Sequence, residues 1–236
     1  METVMNDGNR STVFFPGAGS FGGELRPLAE ALGPTSWLVC YPGRFGRDFG
    51  TPAASFDAVV RSCVEQIAER PGPCPVLFGH SYGAYVAYAA VPALHEAGID
   101  VSALVVAGAP APGLLRVPQQ ASHSPSAAAE YLDRIDPGVL ADAPSEEWRG
   151  VVAETTAHDL RLLGEFTPTG TSRVRCPVLA VRGDADPLTS DTAVAEWSSS
   201  TEDAFSRRTF PGGHSDFLRS PGCASWLREI RDGLTH

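Results

Sequence analysis

The strongest constraint on the fold is a regular alternation of short apolar runs with segments of helical periodicity, separated by glycine and proline. Continuous apolar runs are typical of strands with both faces covered, whereas apolar spacings of three and four mark one helix face. Strands that alternate with helices predict a mostly parallel sheet with helices on both faces. The predicted strands are residues 12–15, 37–41, 75–78, 101–107, 178–181 and 205–210, and the predicted helices are residues 25–32, 56–67, 84–96, 191–198 and 221–231.

The alternation is interrupted between about residues 111 and 171, where the sequence shows no convincing strand. Two helices are predicted there, at residues 126–135 and about 144–166. The longer helix carries an apolar stripe that His158 and Asp159 interrupt. We interpret this segment as a helical lid inserted into a single α/β domain over residues 1–236, because no linker or repeat marks a second domain.

Charge and composition exclude several classes of function. All 18 basic residues are arginine, so a lysine nucleophile and a phosphate-loop lysine are impossible. A net charge of −10 without a basic stripe argues against nucleic-acid partners, and the apolar runs are too short to span a bilayer. The five cysteines lack zinc or redox spacing, so we predict neither metal nor cofactor. The odd cysteine count and the polar N-terminus favour a cytoplasmic location.

The segment Gly79-His80-Ser81-Tyr82-Gly83 has the spacing G-x-S-x-G between a predicted strand and a predicted helix. This is the context of a nucleophile elbow, in which small flanking residues let the chain turn sharply and expose the serine at a helix N-terminus. We therefore predict Ser81 as the nucleophile, against the alternative of an ordinary buried turn serine.

A nucleophilic serine needs a base that is oriented by an acid. His214 follows the strand predicted at 205–210, which makes it the one histidine in the expected place. Asp186 and Asp184 both follow the strand before it; we favour Asp186 as the acid and expect Asp184 to bond local backbone. The chain order of Ser81, Asp186 and His214 is that of α/β-hydrolases.

Two backbone N–H groups are expected to stabilise the oxyanion of an acyl-transfer intermediate. One is that of Tyr82, the residue after the nucleophile. The other lies in Pro16-Gly17-Ala18-Gly19, the glycine-rich turn after the first strand, where Ala18 is the best candidate.

Together these segments resemble the type II thioesterases of polyketide and nonribosomal peptide biosynthesis. The similarity runs from about residue 12 to residue 218 in the motif order of that family. The segments that carry it are Phe15-Pro16-Gly17-Ala18-Gly19, Arg26-Pro27-Leu28-Ala29, Tyr41-Pro42-Gly43-Arg44, Phe78-Gly79-His80-Ser81-Tyr82-Gly83-Ala84, Gly183-Asp184-Ala185-Asp186-Pro187 and Phe210-Pro211-Gly212-Gly213-His214.

The resemblance implies hydrolysis of acyl groups from the phosphopantetheine arm of acyl or peptidyl carrier proteins, with an α/β-hydrolase fold. A small-molecule esterase or lipase, an acyl-transferring cyclase and a non-catalytic binding protein remain alternatives, because fold and triad do not choose the substrate. Two arginine pairs are possible surfaces for carrier docking: Arg44 with Arg47, and Arg207 with Arg208. Candidates for an acyl pocket beneath the lid are Trp148, Leu162, Leu163 and Phe166.

Overall fold

The computed structural model describes residues 10–70, 72–141, 143–167 and 173–233. Its centre is a six-stranded sheet in the order β2-β1-β3-β4-β5-β6, in which every neighbouring pair is parallel. The strands are β1 Thr12–Phe15, β2 Ser36–Leu38, β3 Val76–His80, β4 Ala103–Ala107, β5 Val178–Gly183 and β6 Phe205–Phe210. The predicted parallel sheet is confirmed.

Helices cover both faces of this sheet, as predicted. They are α1 Arg26–Leu32, α2 Phe56–Ala68, α3 Tyr82–Glu96, α4 Gln119–His123, α5 Pro125–Ile135, α6 Gly138–Ala141, α7 Glu146–Leu163, α8 Asp191–Ala195 and α9 Pro221–Arg231. Phe14 and Phe78 extend from adjacent strands into the core beneath α1 and α9, with ring centroids 5.3 Å apart. Leu77 points to the opposite core, beneath α2 and α3. The alternating side chains of each strand thus fill two separate cores.

Strand β2 is shorter than predicted, although its sequence stays apolar as far as Tyr41. Val39 N still donates to Phe14 O at 2.9 Å, but Cys40 N donates to the Gln66 side chain at 2.8 Å. The edge strand therefore leaves the sheet after Leu38, and the Tyr41 hydroxyl donates to Pro16 O at 3.0 Å. This contact attaches the segment after β2 to the loop after β1.

The segment between β4 and β5 is helical over most of its described length, with α4 to α7 in succession. Two of its helices, α4 and α6, were not predicted, because five and four residues are too few to show a periodic pattern. Helix α7 begins at a cap in which the Ser145 side chain accepts from Trp148 N, and it ends before Gly164. The end of the predicted insertion, at residues 168–171, lies outside the described residues, so the lid boundary stays a prediction.

None of the helices that the structure describes combines the length and the apolar character that a bilayer crossing requires.

Candidate active site

Ser81 lies in a strained turn between β3 and α3. Its φ of 53° and ψ of −118° make it the one non-glycine residue with positive φ in the described part of the chain. A Cβ on Gly79 would lie 2.3 Å from Gly83 O, and a Cβ on Gly83 would lie 2.0 Å from Phe15 O. Both flanking positions therefore require glycine, which is the packing that a nucleophile elbow needs.

His214 and Asp186 meet behind the cavity that Ser81 lines. His214 Nδ1 lies 3.0 Å from Asp186 Oδ1, and the two side chains are 3% and 0% exposed. The carboxylate also accepts from Leu188 N and from the Thr189 hydroxyl, each at 2.9 Å. Burial alone would raise the pKa of Asp186, but the hydrogen bonds from His214, Leu188 and Thr189 lower it. Asp186 is therefore held as an anion beside the imidazole.

Asp184, the alternative acid, has a local role. Its Oδ1 accepts from Gly212 N at 2.9 Å, so it ties the loop after β5 to the loop after β6. These loops are in close contact, since a Cβ on Gly183 would lie 2.2 Å from Gly212 O. The expectation that Asp184 bonds local backbone while Asp186 faces His214 agrees with this geometry.

The loop after β1, residues 16–20, is called the glycine loop below. Gly17 N donates to Glu24 Oε1 at 2.9 Å, and Gly19 N donates to Asp159 Oδ2 at 2.8 Å. Between them, the N–H of Ala18 has no hydrogen-bond partner among the described residues. Tyr82 opens α3, so its N–H has no acceptor in a preceding helical turn. Both N–H groups predicted for the oxyanion therefore lack a hydrogen-bond acceptor among the described residues.

Two carboxylates that hold the glycine loop were missed from the sequence. Glu24 lies just before the helix predicted at residues 25–32 and belongs to no motif singled out there. Asp159 was noted only as a break in an apolar stripe, although a charge inside such a stripe is itself a signal of a buried partner. That partner is Arg44: its Nη2 bonds Asp159 Oδ2, and the side chains are 4% and 7% exposed.

Arg44 is therefore unsuited to the carrier docking proposed for the 44 and 47 pair. Its guanidinium is buried against the rings of Phe21 and Tyr41, 5.3 and 5.8 Å from their centroids. The expectation took Arg44 as surface charge, which is the common case for an isolated arginine. Arg207 and Arg208 are exposed, so the second arginine pair stays a prediction.

A cavity of about 720 Å³ opens beside Ser81 and His214, beneath helices α5, α6 and α7. Trp148 and Leu163 line it, as expected, and Trp148 packs on Phe21 with centroids 4.7 Å apart. Leu162 and Phe166 were misplaced: neither is among the lining residues. The side chain of Leu162 is buried in the main core, with 1% of its surface exposed. Phe166 packs on Phe56, Tyr85 and Tyr88.

The misplacement follows from the helical rotation of about 100° per residue, which turns Leu162 away from the face that carries Leu163. The cavity face of α7 instead includes Val152 and Leu160, which lie four and twelve residues after Trp148. Spacing by four from Trp148 was the signal that could have found them.

The parallel sheet and the strained serine between β3 and α3 place the chain in the α/β-hydrolase class. Within that class it belongs to the thioesterase family, since the family model described as a thioesterase domain matches residues 11–232. The thioesterase resemblance stated from the motifs is confirmed, and so is the predicted fold.

Several sequence relatives are thioesterases of Streptomyces and Mycobacterium species. The chain is 28% identical over 214 residues to a probable cadicidin biosynthesis thioesterase of Streptomyces griseus, covering 86% of this chain and 56% of the relative. It is 29% identical to thioesterase PikA5 of Streptomyces venezuelae, with coverages of 88% and 71%. The chain thus spans little more than half of the first of these proteins.

Solved structures with a similar fold include thioesterases as well. The RedJ thioesterase from the prodiginine pathway of Streptomyces coelicolor superposes with a TM-score of 0.81 at 25% identity, covering 96% of this chain and 86% of that one. The type II thioesterase BorB from the borrelidin biosynthetic cluster gives 0.80 at 26% identity, with coverages of 94% and 92%.

Proposed function

We propose that this protein hydrolyses acyl thioesters carried on the phosphopantetheine arm of acyl or peptidyl carrier proteins, in polyketide or nonribosomal peptide biosynthesis. The observation that carries the proposal is the buried pair of His214 and Asp186 behind a cavity lined by the elbow serine. Membership of the thioesterase family and the similarity to RedJ and BorB support this reaction class.

In the proposed reaction Ser81 Oγ attacks the thioester carbonyl while His214 takes the hydroxyl proton. Negative charge then develops on the carbonyl oxygen, where the N–H groups of Ala18 and Tyr82 stabilise it. The C–S bond breaks, and the thiol leaves with the proton from His214. A water molecule that His214 deprotonates then attacks the acyl-enzyme, the proton passes to the Ser81 oxygen, and the free acid departs. Asp186 stabilises the imidazolium in both steps.

The cavity provides the binding site for the acyl chain. A volume of about 720 Å³ lies in the range of small-molecule sites, and apolar side chains on α5 and α7 form much of its wall. Trp148 and Leu163 bring the lid to the acyl group in this proposal. A mainly apolar wall favours acyl groups without charge, because an unpaired charge would lose its hydration there.

The partner is a carrier protein that bears the phosphopantetheine-linked acyl group. The same cavity takes an acyl group of moderate length from a flexible arm, and no nucleic-acid or membrane partner is proposed. We place the protein in the cytoplasm, a proposal supported by its five unpaired cysteines.

The test compares carrier proteins loaded with acyl chains of increasing length against a simple aryl ester. The wild-type protein should release free acid from carrier thioesters with kcat/KM well above that for the ester. Ser81→Ala should abolish release, whereas Ser198→Ala, which changes an exposed serine, should leave it unchanged. Full turnover by Ser81→Ala would end the nucleophile assignment, and a preference for the aryl ester would favour an esterase. Lactone or ester in place of acid would favour an acyl-transferring cyclase.

A further inference from the structure

We propose that Glu24 and His80 form a buried positioning pair that holds the glycine loop and His214 in the arrangement that acyl transfer requires. The proposal rests on the function proposed above for Ser81 and His214. Neither side chain has a role in the proton transfers of that reaction, although both line the cavity.

Glu24 attaches the pair to the glycine loop. Its Oε1 accepts from Gly17 N at 2.9 Å, and its Oε2 accepts from the Ser20 hydroxyl. The same Oε1 lies 3.7 Å from His80 Nδ1, and the Glu24 side chain is 11% exposed. The carboxylate therefore accepts from the backbone before Ala18 and lies at ion-pair distance from the His80 imidazole, whose buried Nδ1 has no hydrogen-bond partner among the described residues.

His80 attaches the pair to the base. Its Nε2 lies 3.0 Å from the carbonyl oxygen of His214, and since a carbonyl can only accept, Nε2 carries a proton and donates. The two imidazole rings have centroids 4.9 Å apart. A Cβ on Gly108 would lie 3.2 Å from His214 Cε1 and 3.3 Å from His80 Nε2, so the two rings pack tightly against this glycine.

The electrostatics favour the charged forms of both partners. Burial opposes the charge on each, but the contact with His80 and the hydrogen bonds from Ser20 and Gly17 lower the pKa of Glu24 to about 2, and the contact with Glu24 raises the pKa of His80. The other charged group that acts on His80 is Asp186, which also favours the imidazolium. When Nδ1 is protonated, its charge offsets that of the carboxylate, and the pair then adds little net field at His214.

The pair therefore connects the two loops on either side of the elbow. Through Glu24 it restrains the backbone that presents Ala18 N, and through His80 it restrains the backbone of His214. Misplacement of such groups by about an ångström costs on the order of 100-fold in rate, so a restraint at both ends has kinetic consequences.

Glu24→Gln keeps the size and one oxygen acceptor but removes the charge. We expect it to lower kcat for carrier thioesters about tenfold with KM changed less than twofold, because apolar side chains on α5 and α7 form much of the wall of the proposed acyl site. Glu24→Asp, which keeps the charge, should recover part of the loss. Glu30→Gln, on the exposed side of α1, is the matched control and should match the wild type.

A second arm separates positioning from general packing. His80→Gln retains an N–H donor but leaves the Glu24 anion without its cation, so the acidic limb of the kcat/KM profile should move to higher pH. The double variant Glu24→Gln/His80→Gln should reverse this movement. A packing defect alone would not shift the acidic limb of the kcat/KM profile in a way that removal of the Glu24 charge reverses.

The third arm uses no activity. An imidazole NMR titration of the wild-type protein should show His80 protonated above the ordinary histidine range, and Glu24→Gln should lower that midpoint. A kcat for Glu24→Gln within twofold of wild type, or a His80 midpoint below the ordinary range in the wild type, would overturn the proposal. Full turnover by Ser81→Ala would instead overturn the proposed function, while the NMR titration would still test the Glu24 and His80 pair.

Discussion

The Asp159 carboxylate joins helix α7 to the glycine loop and to Arg44, and its removal is the most informative perturbation of stability. Asp159 accepts from both Arg44 and Gly19 N, and it is 140 residues away from Gly19 in the chain. Asp159→Ala removes both contacts and leaves the Arg44 guanidinium buried without a counter-charge.

The magnitude follows from the burial of the pair. The Arg44 and Asp159 side chains are 4% and 7% exposed, so solvent screening is weak. Removing one partner of a buried ion pair costs about 3–5 kcal/mol. In a protein of this size, about 1 kcal/mol corresponds to about 2–4 °C, so the melting temperature should fall by about 6–20 °C.

Chemical unfolding by urea, monitored by circular dichroism, measures this loss directly. Glu154→Gln changes an exposed acid on the same helix and should leave the free energy of unfolding within about 0.5 kcal/mol of wild type. The double variant Arg44→Met/Asp159→Leu replaces both charges by apolar groups and should be more stable than Asp159→Ala alone, because no buried charge remains unpaired.

A loss below about 1 kcal/mol for Asp159→Ala would refute the reasoning, since that is the range of exposed ion pairs. A double variant less stable than Asp159→Ala would also contradict it. In that case the direct attraction, and not the orphaned charge, would dominate the free energy.

Two further predictions concern the carboxylates of the site. Thr189→Val keeps the shape of the side chain but removes the hydroxyl that donates to Asp186 Oδ2. We expect kcat to fall about tenfold, which corresponds to the free energy of one hydrogen bond to a charged group. An unchanged kcat would show that Asp186 does not need this hydrogen bond. The pKa of Glu24 is about 2 in the folded protein against 4.5 for an unperturbed glutamate. The Glu24 carboxylate therefore stabilises the folded state above pH 4.5, and this stabilisation is lost as the pH falls toward 2. The stability difference between wild type and Glu24→Gln should therefore be about 3 kcal/mol at pH 7 and decline across that window, and a difference independent of pH in urea unfolding would contradict this.

Local sequence patterns were sufficient to predict the strands of the sheet, because the apolar runs and turn residues that indicate a strand extend over only a few residues. The apolar runs that became β3, β4 and β5 are continuous, and glycine or proline bounds most of them. Strand β2 was overestimated because the run continues to Tyr41, while the contact that ends the strand, from Cys40 N to Gln66, comes from a helix further along the chain.

The same distinction applies to the candidate site. Ser81, Asp186 and His214 each follow a strand end, and parallel strands bring their carboxyl ends to one edge, so their order along the chain predicts their proximity. Helix α7 was different: its apolar stripe indicated that a face is buried, but Leu163 lines the cavity whereas Leu162, in the same core, does not.

The chain order of strands, helices and candidate catalytic residues can thus be predicted from the sequence, since propensity, periodicity and turn chemistry are local properties. The partners of Glu24, Arg44 and Asp159 were decided only by tertiary structure. Each of these charges is buried against a group that the fold brings across from another element, and Arg44 and Asp159 are 115 residues apart. Periodicity reports that a side chain is covered; the free energy of a buried charge depends on which group covers it.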